Sequence, residues 1–239
     1  MNLIYITGTS KGIGEALANE LLKDPANKVV GIARSQTIKH NNYIHFNIDL
    51  SDIEQIKTFK FKTPPGTKKV VLVNNAGTLG EITHFGNISA DMIHKTINVN
   101  LTAALIFMND FIKAYQYAAV PKLIINITSG AANSAYDGWG MYCASKAAID
   151  MATKVAHEEQ QKHRSPIKIL GIAPGGVDTN MQTQIRNVRP ENFSRKQKFV
   201  ELKEQNELYL PIDVARKLKD IIDKPEYAES QLISRLELP

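Results

Sequence analysis

A strand, a tight turn and a helix are predicted by Asn2-Leu3-Ile4-Tyr5-Ile6-Thr7-Gly8-Thr9-Ser10-Lys11-Gly12-Ile13-Gly14. The apolar run before Gly8 reads as a buried strand, and apolar residues at helical spacing follow from Ile13. Gly8 permits the turn, Gly12 lets a ligand approach the backbone, and Gly14 allows close packing of the helix. Because the N–H groups and the dipole of a helix start attract anions, this stretch predicts a phosphate-binding loop.

Two other apolar strands end in polar or small residues. One runs into Asn74-Asn75-Ala76-Gly77, and the other runs into Thr128-Ser129-Gly130. In a parallel sheet the carboxyl ends of the strands lie along one edge, where ligands bind. We therefore expect Asn75, Gly77 and Ser129 to lie beside a cofactor and its substrate.

Strand and helix patterns alternate along the whole chain. Strands are predicted near residues 2–7, 28–34, 43–48, 69–74, 121–128, 167–173 and 229–234. Helices are predicted near residues 13–23, 52–60, 90–118, 139–163 and 211–223. The connection 35–42 is too short for a full helix. No linker or repeat divides residues 1–239, so we expect one α/β domain of the doubly wound Rossmann type, with a mostly parallel seven-stranded sheet and helices on both faces.

Tyr142 and Lys146 stand four residues apart in Tyr142-Cys143-Ala144-Ser145-Lys146. A helix places both side chains on one face, so a cation lies beside a phenol. A phenol has a pKa of about 10 in water, and a neighbouring positive charge is expected to lower it toward neutrality. The pair is therefore predicted to move protons as a general acid or base.

Taken together, these motifs resemble those of the short-chain dehydrogenase/reductase family over essentially the whole chain. The resemblance is carried in order by Thr7-Gly8-x-x-x-Gly12-x-Gly14, Asn74-Asn75-Ala76-Gly77, Asn98-Val99-Asn100-Leu101, Ser129 before Tyr142-x-x-x-Lys146, and Pro174-Gly175 followed by Thr179. It implies a single NADP-binding reductase domain with a substrate lid near residues 177–210. The glycines are spaced GxxxGxG, which departs from the GxGxxG dinucleotide fingerprint.

The resemblance implies four catalytic residues, which are Asn100, Ser129, Tyr142 and Lys146. Tyr142 would donate a proton to a substrate carbonyl while Ser129 holds the carbonyl oxygen. Lys146 would lower the pKa of Tyr142 and bind the nicotinamide ribose, and Asn100 would support a water that resupplies protons. Two simpler interpretations stay open, because Asn100 could bond the backbone of its own helix and Ser129 could cap a strand.

NADP(H) is the predicted cofactor, with NADPH favoured over NADH. Arg34 stands 20 residues after Gly14, where NAD-binding proteins commonly carry an acid for the ribose hydroxyl. A guanidinium suits a 2′-phosphate and Lys11 can reach the same group, although an exposed surface arginine is the simpler interpretation. Asp49 is either an adenine contact or a helix cap. The predicted cofactor-binding residues are Gly8, Ser10, Lys11, Gly12, Ile13, Gly14, Arg34, Ser35, Asp49, Asn75, Ala76, Gly77, Tyr142, Lys146, Pro174, Gly175, Val177 and Thr179.

Three stretches are similar to a subgroup of that family that contains bacterial benzil reductases and the sepiapterin reductases. They are residues 127–132, Gly138-Trp139, and residues 174–182. The similarity implies reduction of a ketone next to another carbonyl, first of all a 1,2-diketone such as benzil. Tyr136, Trp139 and Met181 would then form the substrate pocket, although ordinary packing also explains them. Sepiapterin reductases carry an acid near the carboxyl terminus, where this chain has Ser234 with Glu237 offset, so pterin reduction is less expected.

The charge and the composition of the chain bear on three other classes of function or structure: nucleic-acid binding, metal binding and disulfide bonding. The net charge of +5 and the basic patch from Lys57 to Lys69 suggest a nucleic-acid binder, but a solvated lysine face with Phe59 and Phe61 turned inward explains the pattern more simply. His157-Glu158-Glu159-Gln160-Gln161 lacks the second histidine of a zinc helix, so no metal is expected. The single cysteine, Cys143, excludes an internal disulfide.

The expected setting is the cytoplasm, because the apolar runs are too short to span a bilayer and the first strand leaves no room for a leader. The expected partners are a small-molecule carbonyl substrate and further copies of the chain, as a homodimer or homotetramer through the helices at 90–118 and 139–163. Neither nucleic acid nor a membrane is expected as a partner. Two alternatives stay open. One is a ketoreductase for 3-oxoacyl thioesters, hydroxysteroids or pterins, and the other is a non-catalytic NADP-binding regulatory protein.

Overall fold

A computed structural model of the chain describes residues 1–164, 166–227 and 231–237. Within these ranges seven strands form one sheet with the order β3-β2-β1-β4-β5-β6-β7, and all neighbouring strands are parallel. The strands are β1 (Asn2–Thr7), β2 (Asn27–Ala33), β3 (Tyr43–Asn47), β4 (Lys69–Asn74), β5 (Lys122–Ile127), β6 (Lys168–Ile172) and β7 (Leu232–Ile233). The sheet confirms the predicted doubly wound α/β fold.

Helices cover both faces of the sheet. They are α1 (Gly12–Leu21), α2 (Ile53–Thr58), α3 (Ala90–Ile97), α4 (Ala103–Tyr115), α5 (Gly140–Gln160), α6 (Asn180–Asn187), α7 (Lys196–Glu204) and α8 (Pro211–Asp223). Alternate residues of each strand serve opposite faces. Ile4 and Ile6 of β1 belong to the apolar core that contains α1 and α8, whereas Leu3 and Tyr5 belong to the core that contains α4. Burial on both faces explains why the strands read as continuous apolar runs.

The predicted helix at 90–118 is not one regular helix. Asn98–Thr102 forms a π-helical turn between α3 and α4. Here Asn98 donates a hydrogen bond to Ser51 O at 3.0 Å, and Asn100 is turned toward the loop after β4. Turns of this kind occur often at functional sites, because they move side chains out of α-helical register.

Other differences concern residues 177–210 and the last strand. Residues 177–210, for which no helix was predicted, contain the helices α6 and α7. The last strand is limited to Leu232–Ile233, and residues 229 and 230 of the predicted strand lie outside the described residues. The connection 35–42 has no helix, as predicted.

The basic patch at 57–69 has an apolar interior. Phe59 is buried, and the ring of Phe61 meets the ring of Tyr5 edge-on with centroids 4.8 Å apart. This packing agrees with a solvated lysine face over inward phenylalanines. In the described part of the chain, no helix has the length and apolarity needed to span a membrane. Within the same ranges, no three His, Cys, Asp or Glu side chains are grouped as a metal site.

Candidate active site

The glycine loop joins β1 to α1 in a conformation that requires glycine. Gly8 has a φ of 76° and Gly12 a φ of 61°, both in the left-handed region. A β-carbon on Gly14 would overlap Gly8 O and the Asn75 side chain, so α1 packs against the loop only because no β-carbon is there. No side chain of a described residue caps the start of α1 at Lys11. The first N–H groups of this helix are therefore available to an anion.

Asn75 and Ala76 hold the loop to the end of β4. Asn75 Nδ2 donates to Thr7 O at 2.9 Å, while the backbone N–H groups of Asn75 and Ala76 both donate to Thr7 Oγ1 at 3.0 Å. The predicted convergence of the strand ends is therefore present. The side chain of Asn75 braces the loop, which leaves the backbone of this turn as the surface toward the cleft.

Ser129, Tyr142 and Lys146 meet at the end of β5. Ser129 Oγ accepts a hydrogen bond from Ala131 N at 3.2 Å, and the Ser129 side chain is close enough to the Tyr142 hydroxyl to act on its pKa. Lys146 Nζ donates to Ile127 O at 2.8 Å and lies 5.7 Å from the centroid of the Tyr142 ring. Tyr142 and Lys146 thus share one face of α5, as the four-residue spacing predicts. Ser129 also caps the short 3-10 turn Gly130–Ala132.

The electrostatics of this pair differ from the prediction. Burial raises the pKa of Tyr142 above the ordinary phenol value, and the neighbouring Ser129 side chain offsets this only in part. Burial also lowers the pKa of Lys146 to about 8, against the opposing charge of Asp150. The predicted lowering of the phenol pKa by Lys146 is wrong in this structure, because loss of water around both groups outweighs their attraction. The phenol therefore keeps its proton at neutral pH.

Asn100 lies behind the wall of the cleft, in the π-helical turn. Its Oδ1 accepts from Thr78 N at 2.8 Å, and its Nδ2 donates to Thr78 O at 2.8 Å and to Ser145 Oγ at 3.1 Å. Asn100 therefore bonds the loop after β4, and the interpretation that it bonds the backbone of its own helix is wrong. A β-carbon on Gly77 would lie 3.6 Å from both Asn100 Oδ1 and Lys146 Nζ, so the backbone of Gly77 is adjacent to both side chains.

A cleft of about 1370 Å³ runs along the carboxyl edge of the sheet, from the glycine loop to α6 and α7. Most of the predicted residues line it. They are Gly8, Ser10, Lys11, Gly12, Ile13, Arg34, Asp49, Asn75, Ala76, Gly77, Ser129, Tyr136, Trp139, Tyr142, Lys146, Pro174, Gly175, Val177, Thr179 and Met181. Gly14, Ser35 and Asn100 lie off the cleft wall. Gly14 is buried where α1 packs against the loop, Ser35 is exposed to solvent, and Asn100 is buried.

Charged residues gather at the end of the cleft formed by β2 and β3. Arg34 is exposed there, and its charge, with that of Lys95, helps to lower the pKa of Asp49. The larger cause is the hydrogen bond that Ser51 N donates to Asp49 Oδ1 at 2.9 Å. Asp52 rather than Asp49 caps α2, so the interpretation of Asp49 as that cap is wrong. Lys95 was missed because no sequence motif brings α3 next to β3.

Aromatic side chains form the opposite end of the cleft. The ring of Trp139 stacks with the rings of Tyr136 and Phe193, with centroids 4.9 Å from each, and it meets Tyr142 edge-on at 5.7 Å. Phe193 and Phe199 come from the 177–210 segment and were missed, because single phenylalanines in a polar segment carry no pattern. Trp139 is buried among these rings and is only 6% exposed.

The segment that contains Phe193 is hydrogen-bonded to the loop before α5. Asp137 accepts hydrogen bonds from Ser194 N at 2.6 Å and Ser194 Oγ at 2.8 Å. Gly138 has a φ of 72°, and a β-carbon there would overlap Asn192 O. Residues 192–195 therefore sit directly on the loop that leads to Tyr142.

The strand order and the position of the glycine loop are those of Rossmann-type nucleotide-binding enzymes. More narrowly, the chain belongs to the short chain dehydrogenase family, which it matches over residues 2–190. It is therefore an oxidoreductase that acts on carbonyl or alcohol groups with a nicotinamide cofactor.

Known proteins place it near two groups of reductases. Benzil reductase ((S)-benzoin forming) of Bacillus cereus is 33% identical over 247 residues, with 98% of both chains covered. Sepiapterin reductase of Mus musculus is 29% identical, covering 81% of this chain and 82% of that one. The solved structure of the KRED1-Pglu enzyme matches with a TM-score of 0.83 and 24% identity, covering 99% of this chain and 100% of that chain.

Proposed function

We propose that the protein is an NADPH-dependent carbonyl reductase that transfers hydride to a ketone, first of all a 1,2-diketone such as benzil. The observation that carries this proposal is that Ser129, Tyr142 and Lys146 line one cleft, with Lys146 Nζ 5.7 Å from the centroid of the Tyr142 ring. The benzil reductase relative supports the choice of substrate. The presence of all these groups together argues against a non-catalytic binding protein.

The glycine loop fits the pyrophosphate of a dinucleotide. Two left-handed glycines and the uncapped start of α1 form a concave surface of backbone N–H groups. Lys11 and Arg34 are exposed beside it on the same cleft wall, where they would attract a 2′-phosphate. Lys146 would bond the nicotinamide ribose, and Val177 and Thr179 would meet the nicotinamide carboxamide. The reduced cofactor, when bound, supplies the hydride.

The residues of the chain supply the proton and the orientation. Ser129 Oγ and the Tyr142 hydroxyl would both donate to the oxygen of the substrate carbonyl. As the carbonyl carbon accepts hydride, its oxygen takes the proton of Tyr142, and solvent later returns a proton to the phenolate. A raised phenol pKa suits this direction of reaction, because the donor must be protonated at working pH. Asn100 positions the Thr78 backbone and so the wall next to Lys146.

Residues 177–210 are proposed to act as the substrate lid. The lid contributes Met181 and Phe199 to the cleft wall, and Phe193 to the stack on Trp139. Closing it over a substrate would exclude water from the reacting groups. The bonds between Asp137 and Ser194 would then hold the closed position.

The test is NADPH consumption by purified protein with benzil, and with sepiapterin as the competing substrate. We expect benzil to be preferred, and Tyr142→Phe to lower kcat by about 10²–10⁴-fold while the Kd for NADPH stays unchanged. Ser234, which the resemblance places at the position of the acid of sepiapterin reductases, lines the cleft, and this favours benzil over sepiapterin. Faster turnover of sepiapterin would reverse the ranking of substrates, and an active Tyr142→Phe variant would remove the proposed acid.

The same assay measures cofactor choice. NADPH should give a kcat/KM at least about tenfold above that of NADH, since a charged pair to the 2′-phosphate is available only with NADPH. Arg34→Ala should remove most of the preference and leave the NADH value unchanged. Equal efficiencies in the wild-type protein would contradict the assignment of Arg34.

Self-association is proposed through α5. Met151 is 59% exposed and Val155 is 49% exposed, one turn apart on the same helix. A second copy of the chain would bury this apolar face, giving a homodimer or, with a further interface, a homotetramer. Analytical ultracentrifugation should find the oligomer in the wild-type protein and a lighter species for Met151→Glu. A wild-type monomer at micromolar concentration would contradict this assembly.

A further inference from the structure

A series of side-chain hydrogen bonds crosses the sheet behind the glycine loop. Thr9 Oγ1 and Tyr43 Oη are 2.9 Å apart, and Tyr43 Oη is 3.0 Å from His45 Nδ1. His45 Nε2 lies 3.1 Å from Ala33 O, at the last residue of β2. Two side chains of β3 therefore connect the loop after β1 to the carboxyl end of β2, and we call them the Tyr43–His45 bridge.

Gly31 leaves the space through which this bridge passes. It lies inside β2, the strand between β1 and β3. A β-carbon on Gly31 would overlap the Tyr43 hydroxyl and would lie 2.6 Å from Thr9 Oγ1. Glycine weakens the interior of a strand, and its presence there often marks a close approach of another group. The contact between the two hydroxyls thus depends on the missing side chain at Gly31.

The direction of each hydrogen bond follows from the groups that can only accept. Ala33 O is a carbonyl, so His45 Nε2 carries a hydrogen and donates to it. Burial lowers the pKa of His45, which is therefore neutral at pH 7 and has Nδ1 as an acceptor. Burial raises the pKa of Tyr43, so its hydroxyl stays protonated and donates to that nitrogen. Thr9 then donates to Tyr43 Oη, and each hydrogen in the bridge has an acceptor.

Both ends of the bridge adjoin the proposed dinucleotide site. Thr9 is only 1% exposed, and it stands between Gly8 and Ser10, which line the cleft. Ala33 directly precedes Arg34, the residue proposed to bind the 2′-phosphate. The bridge therefore holds the pyrophosphate loop at one end and the backbone before Arg34 at the other, from a position behind the cleft wall.

We propose that Tyr43 and His45 are positioning residues for the cofactor, which hold the glycine loop and Arg34 at the separation that one NADPH molecule requires. This inference rests on the proposed function, because it takes NADPH as the cofactor. Both residues act through Thr9 and Ala33 and contact no reacting atom. A loop that is ordered before binding loses less entropy on binding, so breaking the bridge should weaken cofactor binding and spare the chemical step.

A purely structural role is the alternative. Since β3 is an edge strand of the sheet, the bridge could serve only to hold this strand in place. That role predicts a lower Tm for variants of the bridge, with no change in cofactor affinity beyond that of any other variant of equal stability.

Tyr115 offers a matched control for the loss of a buried hydroxyl. It is fully buried in α4, and its hydroxyl donates to Lys62 O at 2.8 Å. Tyr43→Phe and Tyr115→Phe each remove one hydrogen-bonded phenol oxygen and keep the ring. Only the first variant removes a contact to the glycine loop.

The experiment measures the Kd for NADPH and for NADH by fluorescence titration. Tyr43→Phe should raise the Kd for NADPH about tenfold and the Kd for NADH only about threefold, since NADH has no 2′-phosphate to be placed. His45→Leu should give the same pattern, because it breaks the bridge at Ala33 O. For Tyr43→Phe, kcat with benzil at saturating NADPH should stay within about twofold of the wild-type value. Tyr115→Phe should leave both Kd values within about twofold, and Tm measurements compare the stabilities of the variants.

A double-variant cycle tests whether Tyr43 acts through Thr9. Thr9→Val keeps the branched shape of the side chain and removes its hydroxyl. It should also weaken NADPH binding, and the double variant with Tyr43→Phe should bind NADPH as Tyr43→Phe alone does, because both changes remove the same hydrogen bond.

The outcomes separate this inference from the proposed function. An unchanged Kd for NADPH in Tyr43→Phe or His45→Leu, an equal loss in Tyr115→Phe, equal losses for the two cofactors, or additive losses in the cycle would overturn the role of the Tyr43–His45 bridge. A wild-type protein that binds NADPH no more tightly than NADH would instead reject the proposed cofactor.

Discussion

At the scale of single residues, burial sets the chemistry of Tyr142 and Lys146. The four-residue spacing correctly predicts that they share a face of α5, since spacing determines direction on a helix. The direction of the Tyr142 pKa was wrong, because it depends on how much water the folded chain removes, and one helix cannot reveal that. Lys95 was missed for a different reason, because it reaches Asp49 only through the packing of distant parts of the chain.

The lowered pKa of Lys146 predicts a pH dependence. With its pKa at about 8, Lys146 loses its positive charge above that pH, while Tyr142 remains protonated. We expect kcat/KM for NADPH, which reports the free enzyme, to fall about tenfold per pH unit above pH 8. Steady-state rates between pH 6 and 10 measure this, with circular dichroism at each pH as the control for unfolding.

The lowered pKa of Lys146 also determines how the stability of the protein changes with pH. An unfolded lysine has a pKa of 10.5, so between pH 8 and 10.5 the unfolded chain binds more protons than the folded one at this position. The contribution of Lys146 to folding therefore improves as pH rises through this window. We therefore expect activity to fall above pH 8 although Lys146 causes no loss of stability there. A kcat/KM that stays constant up to pH 10 would contradict the lowered pKa.

At the scale of secondary structure, the glycine loop that connects β1 to α1 was predicted nearly completely. The turn needs glycine at Gly8 and Gly12 for backbone conformation and at Gly14 for packing, and these are local properties that the sequence carries. The π-helical turn at Asn98–Thr102 was not predicted, because its apolar spacing resembles that of an α-helix. Helices α6 and α7 were missed because their sequences are mostly polar.

The variant Gly14→Ala tests the close packing of α1 against the glycine loop. Its β-carbon would overlap Gly8 O and the Asn75 amide, so the loop or α1 must move. We expect the free energy of unfolding to fall by about 1–3 kcal/mol, as for overpacked cores, and the Kd for NADPH to rise. Urea denaturation measures the first effect and fluorescence titration the second.

Gly130→Ala is the matched control for stability. No heavy atom lies within 4 Å of the added β-carbon, and Gly130 is exposed. Its free energy of unfolding should stay within about 0.5 kcal/mol of the wild-type value. If the two alanine variants were equally stable, the close approach of α1 to the loop would not depend on the absence of a side chain at Gly14.

At the scale of the whole molecule, the parallel sheet brings separate parts of the chain to one edge. The loops after β1, β4, β5 and β6 meet there, which is why motifs scattered from Gly8 to Thr179 line one cleft. This convergence was predictable, because it follows from strand alternation alone. The packing of residues 192–195 on the loop before α5 could not be predicted. It depends on contacts between residues far apart in the sequence, such as Asp137 and Ser194.

The stack of Tyr136, Trp139 and Phe193 has a practical consequence. Trp139 is the single tryptophan of the chain, and Phe193, which stacks on its ring, belongs to the proposed lid. Departure of Phe193 would admit water to an indole that is now enclosed, so its emission should shift to longer wavelength. The protein therefore carries its own optical reporter, and stopped-flow emission could time the opening without any added dye.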